Sequence, residues 1–317
     1  MDRSRRRSGA LIAALAVGLA GAALSPEPPL RAMRWLAPGA DPVAVLTMEP
    51  AECFAPPAAL WDSAEIGRAA FRTPVLLGGQ AARAGLSCES CHRGGRSNPD
   101  FLFPGISGAP GTADVTSSLF SSHRGDGQDN PVPIPDLSGE RARLKVAPDN
   151  VEHFIRGLIV EEFDGAEPPP AVLKGLADYV LSLRPDACPS PAWRRVDAAR
   201  LIEDARRAAD AAAAAPDPAT QLLMIAGARA RLGLIDERFA APALEGERRA
   251  LHGADVELAA IAQALRAGRA DVRPRLAAWA ANTPALAARL ARREDRSLFD
   301  PNSLRAAAQG RLPAGAS

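Results

Sequence analysis

The sequence predicts a mainly α-helical protein in two unlike parts, a loop-rich N-terminal part and an alanine-rich helical C-terminal part. Three observations carry this. Between Arg93 and Pro148 glycine and proline recur too often for regular structure. Apolar residues at helical spacing reappear after Asn150 and again after Pro170. From residue 194 to residue 295 the chain turns rich in Ala, Arg and Leu, which favour helix. A hydrophobic fraction of 47% in 317 residues is enough for a core, and its alanines let helices pack closely. A formal net charge of +1 offers no electrostatic footprint for nucleic acid.

Taken in order, Met1-Asp2-Arg3-Ser4-Arg5-Arg6-Arg7 precede an apolar run from Ala10 to Leu24. A basic stretch followed by a short apolar one reads as a secretory signal over residues 1–25, with small residues at Ala20-Gly21-Ala22 for cleavage. The run falls short of the roughly 20 apolar residues of a membrane span. An uncleaved membrane tether through residues 9–24 is the alternative. Export into the bacterial periplasm follows from either.

Ser25 to Ala59 reads as an irregular proline- and alanine-rich arm. Asp62 followed three residues later by Glu65 resembles a capping box and predicts a helix to Phe71, ended by Pro74. A short helix over 80–85 leads to residue 88. Asn150 suits an N-cap, and Val151, Phe154, Ile155, Leu158 and Ile159 form a helical stripe. Another helix opens at Pro168-Pro169-Pro170 and buries Val172, Leu176, Tyr179, Val180 and Leu183 before Pro185. Beyond Pro191, helices are predicted near 196–214, 218–235, 255–267, 271–281 and 284–294. Pro216, Pro218, Gly253 and Pro284 act as breaks. The last residues, from Pro301, read as a flexible tail. The expected division is a first domain over 26–190, a helical domain over 191–300 and a tail over 301–317.

Cys88-Glu89-Ser90-Cys91-His92 carries the chemistry. C-x-x-C-H is the attachment signature of a c-type haem. Two thiols on one turn can each form a thioether to a haem vinyl group, and the adjacent imidazole can then ligate the iron. A zinc ribbon would need a second cysteine pair at short spacing, and a thioredoxin-like pair would need a βαβ setting. The sequence offers neither. The expected cofactor is one covalent haem c, held by Cys88 and Cys91, with His92 as proximal ligand. Export agrees, since c-type haem is attached outside the inner membrane. Of the four cysteines, Cys53 and Cys188 remain, flanking the motif, and an oxidising compartment favours a disulfide between them.

The second axial ligand decides the function. No methionine lies between His92 and Met224, and Met224 sits in a helical pattern that suits a core. Met33 and Met48 lie upstream, in the arm. His123, inside Ser121-Ser122-His123-Arg124-Gly125-Asp126-Gly127, is the favoured sixth ligand. His153 and an open or water-bound site are the alternatives. Phe101, Leu102, Phe103, Ile106, Leu119 and Phe120 are expected to wall the porphyrin, and Arg93, Arg96 and Arg124 to lie near its propionates.

Phe71-Arg72-Thr73-Pro74 to Gly79, Gly85-Leu86-Ser87-Cys88 to His92, Gly111-Thr112-Ala113-Asp114-Val115-Thr116 and Asn130 to Leu137 together resemble the cytochrome c peroxidase/MauG-like haem proteins. The resemblance covers residues 62 to 185. It implies a cytochrome c-like haem domain with long loops, its closing helix packed on its first. It also implies a distal-ligand segment from Ser117 to Gly127, with His123 where the family carries its distal residue. The family's enzymes hold two haems, whereas this chain has a single C-x-x-C-H. The expected function is therefore an exported mono-haem c-type cytochrome that transfers electrons to or from a redox partner protein. The alternative is a peroxidase-like or MauG-like oxidoreductase working with a partner cytochrome. A third reading gives the helical region a partner-docking role, with the haem as sensor.

Overall fold

The computed structural model describes residues 35–116, 119–123, 127–139 and 144–309. The expected signal or tether, Met33, Arg124 and the chain beyond residue 309 lie outside them. The protein is mainly helical, as the sequence predicts. No helix among the described residues is long and apolar enough to cross a membrane.

The N-terminal half is made of short elements. The arm holds helix α1 (Pro42–Thr47), whose first turn is capped by the Asp41 carboxylate accepting the Val43 N–H at 2.9 Å. It continues into strand β1 (Met48–Pro50). Helix α2 (Trp61–Phe71) begins one residue before Asp62, which lies in its first turn rather than at the cap. Helices α3 (Gly79–Arg83) and α4 (Cys88–Cys91) follow. The long loop contains only two short paired strands among its described residues, β2 (Thr112–Ala113) and β3 (Val132–Pro133). Helix α5 (Val151–Gly157) runs on as one wider π-type turn over Leu158–Glu162. Helix α6 (Pro170–Ser182) closes this half.

Strand β4 (Trp193–Arg195) leads into the C-terminal half and pairs antiparallel with β1, Met48 opposite Arg195 and Pro50 opposite Trp193. Four long helices then follow: α7 (Ala198–Ala214), α8 (Pro218–Arg238), α9 (Glu245–Arg266) and α10 (Val272–Ala291). Asp197 and Asp217 cap α7 and α8 by accepting the Arg200 and Thr220 N–H groups. Two expected breaks do not break. Gly253 sits on the exposed side of α9, where the helix absorbs the roughly 1 kcal/mol that glycine costs. The two helices expected around Pro284 are one. Pro284 has no N–H for the Ala280 carbonyl, and the Thr283 hydroxyl donates to that carbonyl instead at 2.7 Å.

The expected flexible tail is also ordered at its start. Helix α11 (Pro301–Ala308) opens on Asp300, which accepts the Asn302 and Ser303 N–H groups, with Pro301 in the first turn. Leu304 is fully buried in a small cluster with Val43, Leu46 and Leu298. Tertiary burial is what holds a segment whose local sequence reads as frayed.

One apolar core runs through both halves. Helix α2 packs against α6 on one side and against α7 and α8 on the other. The α2–α6 crossing is backbone against backbone: a Cβ on Gly67 would sit 1.8 Å from the Gly175 carbonyl oxygen. On the opposite side α2 meets α7 and α8 through buried charge. Arg68 reaches Glu52 at 2.9 Å and Asp204 at 2.8 Å, and Arg72 reaches Glu52 at 2.7 Å. The Tyr179 hydroxyl donates to the same Glu52 carboxylate at 2.6 Å.

Candidate functional site

The two motif cysteines sit on one turn. Ser87 and Ser90 form a reciprocal cap over α4, with the Ser87 N–H donating to the Ser90 hydroxyl at 3.1 Å. The His92 N–H closes the turn on the Cys88 carbonyl at 2.8 Å. The chain then leaves through Gly94 and Gly95, both left-handed at φ 62° and 72°. A side chain at either would also collide, at 2.7 Å from the Pro50 carbonyl oxygen and 2.6 Å from Leu183. Asn98 returns to donate to the Ser90 carbonyl at 2.8 Å, which holds the turn from outside.

This turn forms one edge of a large apolar cavity. The space between its walls, with its open mouth, is about 1250 Å³. Cys88, Cys91 and His92 line it together. The remaining wall comes from Ala113 and Val115, from 132–137 after β2, from 144–146, from α5 and its π turn, and from Leu176 and Val180 of α6. A cavity of this size and apolarity is the usual form of a cofactor or ligand site.

Cys88 and Cys91 are both free thiols. Burial pushes each up to about 12, so both are neutral. A redox dithiol has the opposite property, a lowered thiol pKa. A metal cluster is likewise unsupported: no group of three or more His, Cys, Asp or Glu side chains converges among the described residues. Two neutral thiols facing an apolar cavity suit addition to an apolar, unsaturated cofactor edge.

His92 is oriented for ligation. Its Nδ1 lies 3.0 Å from the Pro135 carbonyl oxygen, an acceptor only, so Nδ1 carries the proton and Nε2 keeps its lone pair. Burial lowers its pKa to about 4 against the pull of that carbonyl and of Asp136, while the Lys145 ammonium lowers it further. The ring is thus a neutral Lewis base, with Phe71 beside it at a centroid distance of 6.3 Å. Hydrogen bonding of the second imidazole nitrogen to a backbone carbonyl is the usual support for a metal-ligating histidine.

The structure does not bring His123 to this cavity. Its side chain is 61% exposed, and its Nδ1 lies 3.0 Å from an Asp164 carboxylate oxygen. That carboxylate also accepts the Ser122 N–H and hydroxyl, so His123 belongs to a surface turn. His153 is exposed on α5 and off the wall, Met48 is exposed on β1, and Met224 is fully buried within α8. The expected porphyrin wall is also misplaced. Phe101, Phe103, Ile106 and Phe120 are buried in the core, where Phe103 stacks on Trp35 at 4.0 Å, and Leu119 is exposed. None of these, nor Leu102, lines the cavity.

Arg93 donates to the Met48 carbonyl at 2.6 Å, and Arg96 pairs with Asp136 at 2.7 Å. Burial opposes the Asp136 charge, but Ser138 and Arg96 outweigh it and hold its carboxyl below the usual range. Arg96 thereby anchors the 131–138 segment that presents Pro135 to His92. Cys53 and Cys188 form the expected disulfide across 135 residues. Glu89, between the motif cysteines, accepts the Gly94 N–H at 3.0 Å and faces Arg72 at 3.3 Å. It ties the motif turn to the buried charges of α2. Sequence reasoning missed Glu89, Pro135 and Lys145, because each gains its role only by contact across the chain.

Comparison with protein-family models, characterised proteins and solved structures finds no match for this chain.

Proposed function

We propose that this protein is an exported mono-haem c-type cytochrome, in which Cys88 and Cys91 hold one haem c through thioethers and His92 is its axial ligand. One observation carries the reading: two neutral, unpaired thiols and a tautomer-fixed imidazole share one edge of a large apolar cavity. A bound haem supplies one-electron redox chemistry. The chain's own part is to anchor it, fix the His92 ring through Pro135, and keep water from the porphyrin faces with Ile134, Leu137, Phe154, Leu158 and Val180. The packing of α6 on α2 supports a cytochrome c-like arrangement, in which a closing helix lies on the first. The partner would be a redox protein, met in the periplasm, with residues 9–24 as the tether if the signal is retained.

The peroxidase-like alternative is weaker on the cavity's chemistry. Among its described wall residues there is no carboxylate, amide or second imidazole. Proton transfer to and from peroxide would call for such a group.

The test is haem retention after denaturation. Full-length protein made in a host that attaches c-type haem should keep its haem through denaturing electrophoresis and show the alkaline pyridine spectrum of two thioether bonds. Cys88→Ser with Cys91→Ser should lose covalent attachment. Wild-type protein that releases its haem on denaturation, or never acquires it, would refute the reading.

A further inference from the structure

We propose that Lys145 is the second axial ligand of the haem iron. This rests on the haem reading above and deepens it. The cavity wall holds few groups with a lone pair to offer. Among the described residues on it, only Ser87, Cys88, Cys91, His92 and Lys145 carry a polar or sulfur-bearing side chain. Both thiols are committed to thioethers and His92 to the proximal position. Ser87 caps α4 and is buried at its base. Serine hydroxyls are also poor ligands for haem iron beside imidazole, thioether or amine. Lys145 is what remains.

Its placement supports the role. Leu144, Lys145 and Val146 all line the cavity, so the backbone runs along the wall. The Lys145 ammonium acts electrostatically on the His92 ring. The four-carbon lysine stem is flexible and can lie along apolar surface while its nitrogen reaches a polar target. Lys145 appears in no hydrogen bond or ion pair that would hold it elsewhere. His123, by contrast, is engaged by Asp164 and faces solvent.

The step is a ligand exchange without electron transfer. The ammonium releases its proton to solvent, its lone pair forms the nitrogen–iron bond, and any water at that position leaves. The resulting histidine/lysine pair would be a strong-field set that gives a low-spin iron.

The experiment compares optical and electron paramagnetic resonance spectra of the haem-loaded full chain with those of three variants. Wild type should be low-spin. Lys145→Ala should convert most of the ferric protein to high-spin, and added imidazole should restore the low-spin bands. Lys145→Arg should behave like Lys145→Ala, because arginine keeps the positive charge but never frees a lone pair. That arm separates iron ligation from simple charge pairing with a propionate. His123→Ala should leave the spectrum unchanged. A high-spin wild type, a low-spin Lys145→Arg, or loss of the low-spin bands in His123→Ala would overturn the assignment. Absence of covalent haem in wild type would instead remove the haem reading itself, and the denaturing gel reports that separately.

Discussion

The two halves of the molecule achieve burial in different ways. Between Ala198 and Ala291 four helices of 17, 21, 22 and 20 residues fill one another's grooves, much of the contact being alanine. Between Trp35 and Ser182 only α2 and α6 exceed ten residues. The rest is turn and loop around an apolar cavity whose walls meet no other part of the chain. The first half is thus shaped for an occupant, and the second fills itself. A region of short elements holds its shape through cross-links, here a disulfide, a backbone-on-backbone helix crossing and a buried ionic seam to the long helices.

The disulfide should have the largest effect. Cys53 and Cys188 enclose nearly the whole haem-side half, with 135 residues between them. On the chain-entropy account, closing a loop of that length constrains the unfolded state by about 5 kcal/mol. Cys53→Ser with Cys188→Ser should lower the urea midpoint by a corresponding amount. If the contrast between halves is right, amide exchange should speed up in α5 and α6 well before α8 and α9. Uniform acceleration across all four helices would break the comparison.

The ionic seam comes next. Asp204 of α7 reaches Arg68 of α2, which also holds Glu52. All three are buried, and leaving one partner of such a network uncompensated costs about 3–5 kcal/mol. Asp204→Ala should lose about 3 kcal/mol in chemical denaturation, leaving the haem-side half attached by apolar contact alone. The pH dependence has a definite sign. Burial works against the charges of Asp204 and Glu52, but the flanking arginines outweigh it and hold both carboxyls well below the usual range. A folded-state pKa below the unfolded value means stability that is complete above the ordinary carboxylate pKa of about 4 and lost as pH falls below it. Wild type should therefore lose stability steeply below about pH 4, and Asp204→Asn less steeply. Equal slopes would show that Asp204 does not carry the seam.

The same division explains what the sequence made legible. Cys88, Cys91 and His92 were readable because their chemistry is set by spacing within one turn. The long helices were readable because periodicity is local, and the Cys53–Cys188 pair because few cysteines remained. Features that depend on distant partners were not. Pro284 reads as a break until Thr283 is seen to satisfy Ala280. The segment after Pro301 reads as frayed until Leu304 meets Val43 and Leu46. Phe101 and Phe103 read as cavity wall, yet they pack inward, and the wall comes from 132–137 and α5 instead. His123 has the right chemistry and lies in the right stretch of loop, but Asp164, 41 residues away, claims it. Arg68 and Asp204 are 136 residues apart, and no local pattern announces their pairing.

A pair of glycines offers the finest test of how the halves differ. Gly67 faces α6 and Gly227 faces the end of α2 from α8, so one reports contact inside the haem-side half and the other the seam. Replacing either by alanine gains up to about 1 kcal/mol of helix propensity. A Cβ at Gly67 would lie 1.8 Å from the Gly175 carbonyl oxygen, and backbone cannot move aside without separating α2 from α6. Overpacking of that kind costs about 1–3 kcal/mol or more, so Gly67→Ala should be clearly destabilising, by about 2 kcal/mol net. A Cβ at Gly227 would meet the Thr73 hydroxyl at 2.5 Å, which at present donates to the Ala69 carbonyl at 2.8 Å. That side chain can rotate away at the loss of one hydrogen bond, worth about 1 kcal/mol. Propensity gain and hydrogen-bond loss then nearly cancel, and Gly227→Ala should fall within about 1 kcal/mol of wild type. Paired denaturation curves decide it. Two equal losses would mean that the seam between the halves is packed as rigidly as the α2–α6 crossing, and that the cross-links described above are not what sets the haem-side half apart.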